Sequence, residues 1–172
     1  MRIVVRFAIF AMIFSSFSPT VFGQKKIKCG SETVIVPKHP DKAYKQYAKT
    51  TDVKLKATID IASKVKIGDL DLGTQQQFKE LRDKLDNYHA IIETIVKAAV
   101  MAYCTTPCDK DVRKRYFDLL DNLNKENTAL ESLKSQLEKI TTSGKIGGTD
   151  ANQVKSAISK YNSENGEKAF AK

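Results

Sequence analysis

The side chains that could do chemistry in this chain are few and scattered. There are two histidines, His39 and His89, and three cysteines, Cys29, Cys104 and Cys108. His39 lies in a proline-flanked stretch between Pro37 and Pro40. His89 has Asp86 three residues before it and Glu93 four after, so the three share one face of a helix. Such a pair can contribute to a metal site, but a site needs three or four ligands and no second cluster supplies them. The reading is a surface histidine among salt-bridging acids, with no metal and no cofactor. Cys104-Thr105-Thr106-Pro107-Cys108 has one residue too many for the redox Cys-x-x-Cys motif. The glycine run GKIGG at 144–148 lacks the Lys-Ser/Thr ending of a phosphate-cradling loop. No nucleophile is matched to a base, and no carboxylates are paired in a recognisable pattern. The chain therefore reads as a non-enzyme.

The cysteines point instead to compartment and staple. Three in an exported chain allow three intramolecular pairings and leave one thiol over. The expected disulfide is Cys104–Cys108, closing the turn between two helices within the ~4.4–6.8 Å that such a bond needs between Cα atoms. Cys29 is then free, or bridges two molecules.

Export is read from residues 1–23. Arg2 and Arg6 precede the apolar run FAIFAMIF at 7–14, and Val21-Phe22-Gly23 ends on a small residue suited to cleavage. The run is too short to span a bilayer, which takes about 20 apolar residues. Cys29 follows Ile27-Lys28, which does not suit lipidation. No later segment has the character of a membrane helix. The mature chain is expected to be secreted or periplasmic.

Charge is unevenly spread. Residues 24–66 carry eleven lysines against four acids, whereas residues 67–172 balance sixteen bases with sixteen acids. That surplus could be a footprint for an anionic surface: lipid head groups, polysaccharide or nucleic acid. It could also be a solvated face that blocks aggregation. The candidate anion-binding residues are Lys54, Lys56, Lys64 and Lys66.

Those residues need elements to hold them. The strongest pattern lies in 75–140. Phe78, Leu81, Leu85, Tyr88, Ile92, Ile95, Ala99 and Ala102 form one stripe in steps of three and four. Val112, Tyr116, Leu119, Leu123, Glu126, Leu130, Leu133, Leu137 and Ile140 form a second. This spacing predicts two amphipathic helices in a long antiparallel, coiled-coil-like hairpin. Thr74 and Gln77 match a capping box at the start of the first helix, and Thr106 with Pro107 suits the start of the second. Gly144 suits the end of the second, and DANQVKSAISKY at 150–161 predicts a short third helix. Glu126 interrupts an apolar stripe, with Tyr88 and His89 at the opposing level as partners. IKCGSETVIV at 27–36 reads as a strand pair, and 41–50 as one or two helical turns. Val53, Leu55, Ala57, Ile59 and Ile61 alternate with polar residues and predict a strand over 52–62, with a second short strand over 65–72.

The resulting fold is α+β, mainly α. The leader is 1–23, a lysine-rich β-containing segment 24–73, the helical hairpin 74–143, and a linker, short helix and frayed tail 144–172. A lone hairpin exposes its stripe, so its own strands, the third helix or a second copy must cover it. The leading functional expectation is an exported interaction or assembly protein, with a protein partner or homo-oligomer engaged through the hairpin. Binding of an anionic surface through the lysine-rich segment is the second reading, and a small secreted enzyme or toxin the third.

Overall fold

The computed structural model describes residues 23–142 and 150–164. The expected leader up to residue 22, the expected helix end at Gly144, the expected 147–149 turn and the expected frayed tail beyond 164 lie outside the described residues. Within them the chain is mainly helical, with a small antiparallel sheet at the start.

Strands β1 (Gln24–Cys29) and β2 (Glu32–Pro37) form the expected strand pair. Their two-residue connection begins with Gly30 at φ +65°, a left-handed conformation that suits glycine at the first position of a tight hairpin. Side chains alternate across the pair. Val34 and Val36 are buried on one face, with Ile27 opposite Val34, while Lys26 pairs with Ile35 on the other.

The strand expected over 52–62 is instead the second half of helix α1 (Pro40–Ser63). The reason is visible in which residues it buries: Ala43, Tyr44, Ala48, Thr51, Leu55, Thr58 and Ala62, a helical line. Two of these are threonines, so an apolar count misses the line and finds the β-branched alternation instead. Val53, part of that alternation, is 55% exposed. Thr58 offsets the cost of burying its hydroxyl by donating to the Lys54 carbonyl at 2.8 Å. The pairs Lys56–Asp52 and Lys64–Asp60 support the helix at i, i+4 spacing. The second expected strand is also absent: residues 64–71 are an irregular connection that buries Val65 and Leu70.

Helix α2 (Leu72–Thr105) and helix α3 (Lys110–Thr142) make the predicted hairpin. The α2 cap is Asp71 rather than Thr74. Its carboxylate accepts from the Thr74 backbone N–H at 3.0 Å and from the Thr74 hydroxyl at 2.6 Å. At α3 the cap is Asp109, accepting from the N–H groups of Asp111 and Val112, not Thr106. Thr106 turns its hydroxyl back to Ala102 and ends α2 instead. The first stripe holds as far as Ile92. Beyond it the buried line runs Val96, Val100, Tyr103, leaving Ile95 and Ala99 half-buried and Ala102 exposed. A helix of 3.6 residues per turn drifts off a strict seven-residue repeat, and here the core follows the drift.

Helix α4 (Ala151–Glu164) buries Val154, Ala157, Ile158 and Tyr161, as expected, and is capped by Asp150. Helices α1 and α4 both pack on the α2–α3 hairpin, so the stripes are covered from within one chain. Among the described residues no helix is long and apolar enough to cross a membrane.

Candidate functional site

The β-hairpin lies against the turn that joins α2 and α3. Its cysteine pairing differs from the expected one: Cys29 is bonded to Cys108, with the Cα atoms 5.2 Å apart, and Cys104 is the free thiol. The strand pair explains this. Cys29 stands at the hairpin's turn end and Pro37 at its open end, and the Cys104 sulfur sits 4.0 Å from the Pro37 carbonyl. Cys104 and Cys108 thus meet opposite ends of the hairpin. Burial pushes the Cys104 thiol above its ordinary pKa, which disfavours the reactive thiolate. The bond closes a loop of 79 residues' separation rather than four. In the chain-entropy account this raises its stabilisation to about 4–5 kcal/mol.

Other contacts hold the hairpin beside the bond. The Tyr103 hydroxyl donates to the Ile35 carbonyl at 2.7 Å, and Arg113 meets Glu32 at 3.0 Å. The Tyr103 ring stacks on Tyr116 at 4.1 Å between centroids, with Phe117 edge-on to both. Burial, the largest cause, raises the pKa of both tyrosines, so they stay neutral.

The lysines divide into two groups at this point. Lys54 pairs with Glu131 at 2.6 Å, Lys56 with Asp52 at 2.8 Å and Lys64 with Asp60 at 2.9 Å. Lys66, in the α1–α2 connection, is engaged as well. Three of the four candidate anion-binding lysines, Lys54 and Lys56 on α1 and Lys64 just past its end, therefore have their charge already met by an acid, and the strand meant to carry them is absent. Lys25, Lys26, Lys28, Lys38, Lys42, Lys45 and Lys49 differ. All seven are exposed, and among the described residues none makes an ion pair. Two acids share their segment, Asp41 and Glu32, and Glu32 is taken by Arg113. Lys42, Lys45 and Lys49 follow one another at helical spacing along one face of α1.

The second polar assembly is internal. Glu126 is fully buried, and its partner is Tyr161 of α4, whose hydroxyl donates to Oε1 at 2.5 Å. The sequence expectation placed Tyr88 and His89 there. Tyr88 does face this carboxylate: burial first, and the Glu126 charge second, raise its pKa beyond the ordinary range. His89 turns away from Asp86 and Glu93 to Asp52 of α1, with Nδ1 2.7 Å from Oδ1. Thr51 of α1 and Asn127, next to Glu126 on α3, are also buried, and Thr51 Oγ1 and Asn127 Oδ1 have no hydrogen-bond partner among the described residues. A buried polar layer of this kind sets the register of the helices, because sliding any one of them strands a carboxylate. Asp52 and Tyr161 were the residues sequence reasoning missed here. The only sequence signal was Glu126 itself, a charge in an apolar stripe that required a partner from somewhere. Among the described residues no group of three or more His, Cys, Asp or Glu could hold a metal ion.

No family model, curated protein or solved structure matches this chain. Function must be argued from the surface it presents.

Proposed function

We propose that this is an exported, non-enzymatic binding module that attaches to an anionic surface or polymer through the lysines of β1, the 38–39 linker and the first turns of α1. The observation that carries the reading is the contrast between Lys25, Lys26, Lys28, Lys38, Lys42, Lys45 and Lys49, whose charge no acid meets among the described residues, and Lys54, Lys56 and Lys64, which are neutralised in place. Unmatched charge on a rigid support raises the local concentration of an opposite charge and speeds encounter. A disulfide suits an oxidising compartment, which supports export.

The test is binding of the mature protein to anionic vesicles and to a sulfated polysaccharide at about 0.05 M and about 0.5 M salt, where screening lengths differ several-fold. Binding that collapses in high salt, and that is lost when Lys42, Lys45 and Lys49 become glutamine, supports the reading. Equal loss on changing Lys54, Lys56 and Lys64 instead would refute it.

A second reading, contact with a partner protein or another copy, has one observation in its favour. Helix α4 has 14 residues against 33 in α3, and its Tyr161 meets α3 near the middle, at Glu126. Beyond that level α2 exposes Ile91 at 48% and Met101 at 37%. Light scattering on the purified protein tests it: a stable dimer that Ile91→Asp breaks would place the contact on α2 and not on the covered stripe.

A further inference from the structure

Resting on the reading just given, we infer that the anionic partner is a lipid membrane surface, engaged by the outer face of the β-hairpin with Ile35 entering the head-group layer. The two faces of this sheet differ sharply. Val34 and Val36 are buried against the bundle, at 5% and 3% exposure, and Cys29 on the same side is bonded to Cys108. The opposite face carries Lys26 directly across from Ile35 and Lys28 across from Thr33. Ile35 is 47% exposed. It cannot turn inward, because the disulfide, the two valines and the Tyr103 hydrogen bond to its own carbonyl fix which face is out. Lys38 follows one residue after the strand.

An exposed isoleucine set among lysines is complementary to a particular kind of anion. A polysaccharide or nucleic acid offers charge to Lys26 and Lys28 but gives no return for the apolar side chain beside them. A bilayer surface offers both: phosphate and carboxylate groups at the level of the ammonium ions, and hydrocarbon a few ångströms deeper. Lysine side chains suit this depth because their stems lie along apolar surface while their charges stay in water. The hairpin is also rigidly mounted, so little ordering is required on contact.

The chain has no tryptophan, so a single one at position 35 is a clean reporter. Three proteins are compared on phosphatidylserine–phosphatidylcholine vesicles and on heparin: the full mature chain, Ile35→Ser and Ile35→Trp. Ile35→Ser is expected to weaken vesicle partitioning about five- to tenfold, the return on about half a buried isoleucine, and to leave heparin binding unchanged. Ile35→Trp is expected to strengthen vesicle binding, with its emission shifting to the blue on vesicles but not on heparin. Circular dichroism checks that both variants fold. Vesicle binding by Ile35→Ser equal to that of the parent, or tryptophan emission that vesicles do not move, would overturn the inference. Salt-sensitive binding to heparin with none to vesicles would also overturn it while leaving the anion-binding reading in place. Binding to neither ligand would remove both.

Discussion

The two ends of the bundle are held together by different physics. At one end the β-hairpin is attached to the α2–α3 turn by a covalent bond, the Tyr103 hydrogen bond to the Ile35 carbonyl and the Arg113–Glu32 pair, and it carries lysines that no acid meets among the described residues. Toward the other, α4 is attached by apolar burial and by a phenol donating to a fully buried carboxylate, and nearby charges are paired: Lys54 with Glu131, Lys64 with Asp60, Lys155 with Asp71. The lesson is that charge surplus and structural need have been separated. At the hairpin end the disulfide, not charge pairing, does most of the holding, and the hairpin's lysines are left without an acid partner among the described residues.

That contrast can be broken experimentally. The largest effect is expected from the covalent end. Replacing Cys29 and Cys108 together by alanine should lower unfolding free energy by about 4 kcal/mol, read as a drop in denaturant midpoint. A shift below about 1 kcal/mol would mean that burial of Val34 and Val36 and the Tyr103 hydrogen bond hold the hairpin without the disulfide. Next comes the α4 end: Tyr161→Phe removes one donor from buried Glu126 and should cost about 2–3 kcal/mol. Amide exchange should show the loss concentrated in α4 and the facing turns of α3. Uniform loosening would deny that the contact is local. A smaller effect attends the α2 cap. Hydrogen bonds from the Thr74 side chain and backbone, then Lys155, hold the Asp71 carboxyl at about 2. A lowered carboxylate pKa contributes stability that is complete above the unfolded value near 4 and is lost as pH falls through about 2. The melting temperatures of the parent and Asp71→Asn should therefore differ at pH 7 and converge over that acid window. Smallest of all is Lys54→Gln. Its pair with Glu131 joins a half-buried ammonium to an exposed carboxylate, which water still screens, so the change should stay within about 1 kcal/mol. A larger loss would place Lys54 among the structural contacts of α1 and sharpen the division between the two lysine groups.

How much of this was readable beforehand follows from which atoms carry each feature. Helices α2 and α3 were legible because Leu, Ile and Phe mark their core line, and the fourteen-residue α4 was legible through Val154, Ala157, Ile158 and Tyr161. Helix α1 was not, because Thr51 and Thr58 occupy core positions and the exposed Val53 imitates a strand. The α2 cap slipped by three residues because Asp71 and Thr74 can each play that part, and only the fold decides which one accepts the helix N–H. Cysteine pairing was misread in favour of nearness along the chain, whereas strand register brought Cys29 to Cys108. For the candidate surface, the lysine surplus was plain from composition. Which lysines were spent on Asp52, Asp60 and Glu131 depended on α1 being a helix, and so could not be seen.

The bond between Cys29 and Cys108 has a consequence for the order in which the molecule is made. The amino-terminal strand emerges first, yet its anchor cannot form until the whole of α1 and α2 and the turn after them have followed. Through that interval Cys29 lacks its partner, and Cys104 arrives four residues before Cys108. The native pairing thus waits on the arrival of a single residue, and an oxidant that acts too early meets Cys104 first.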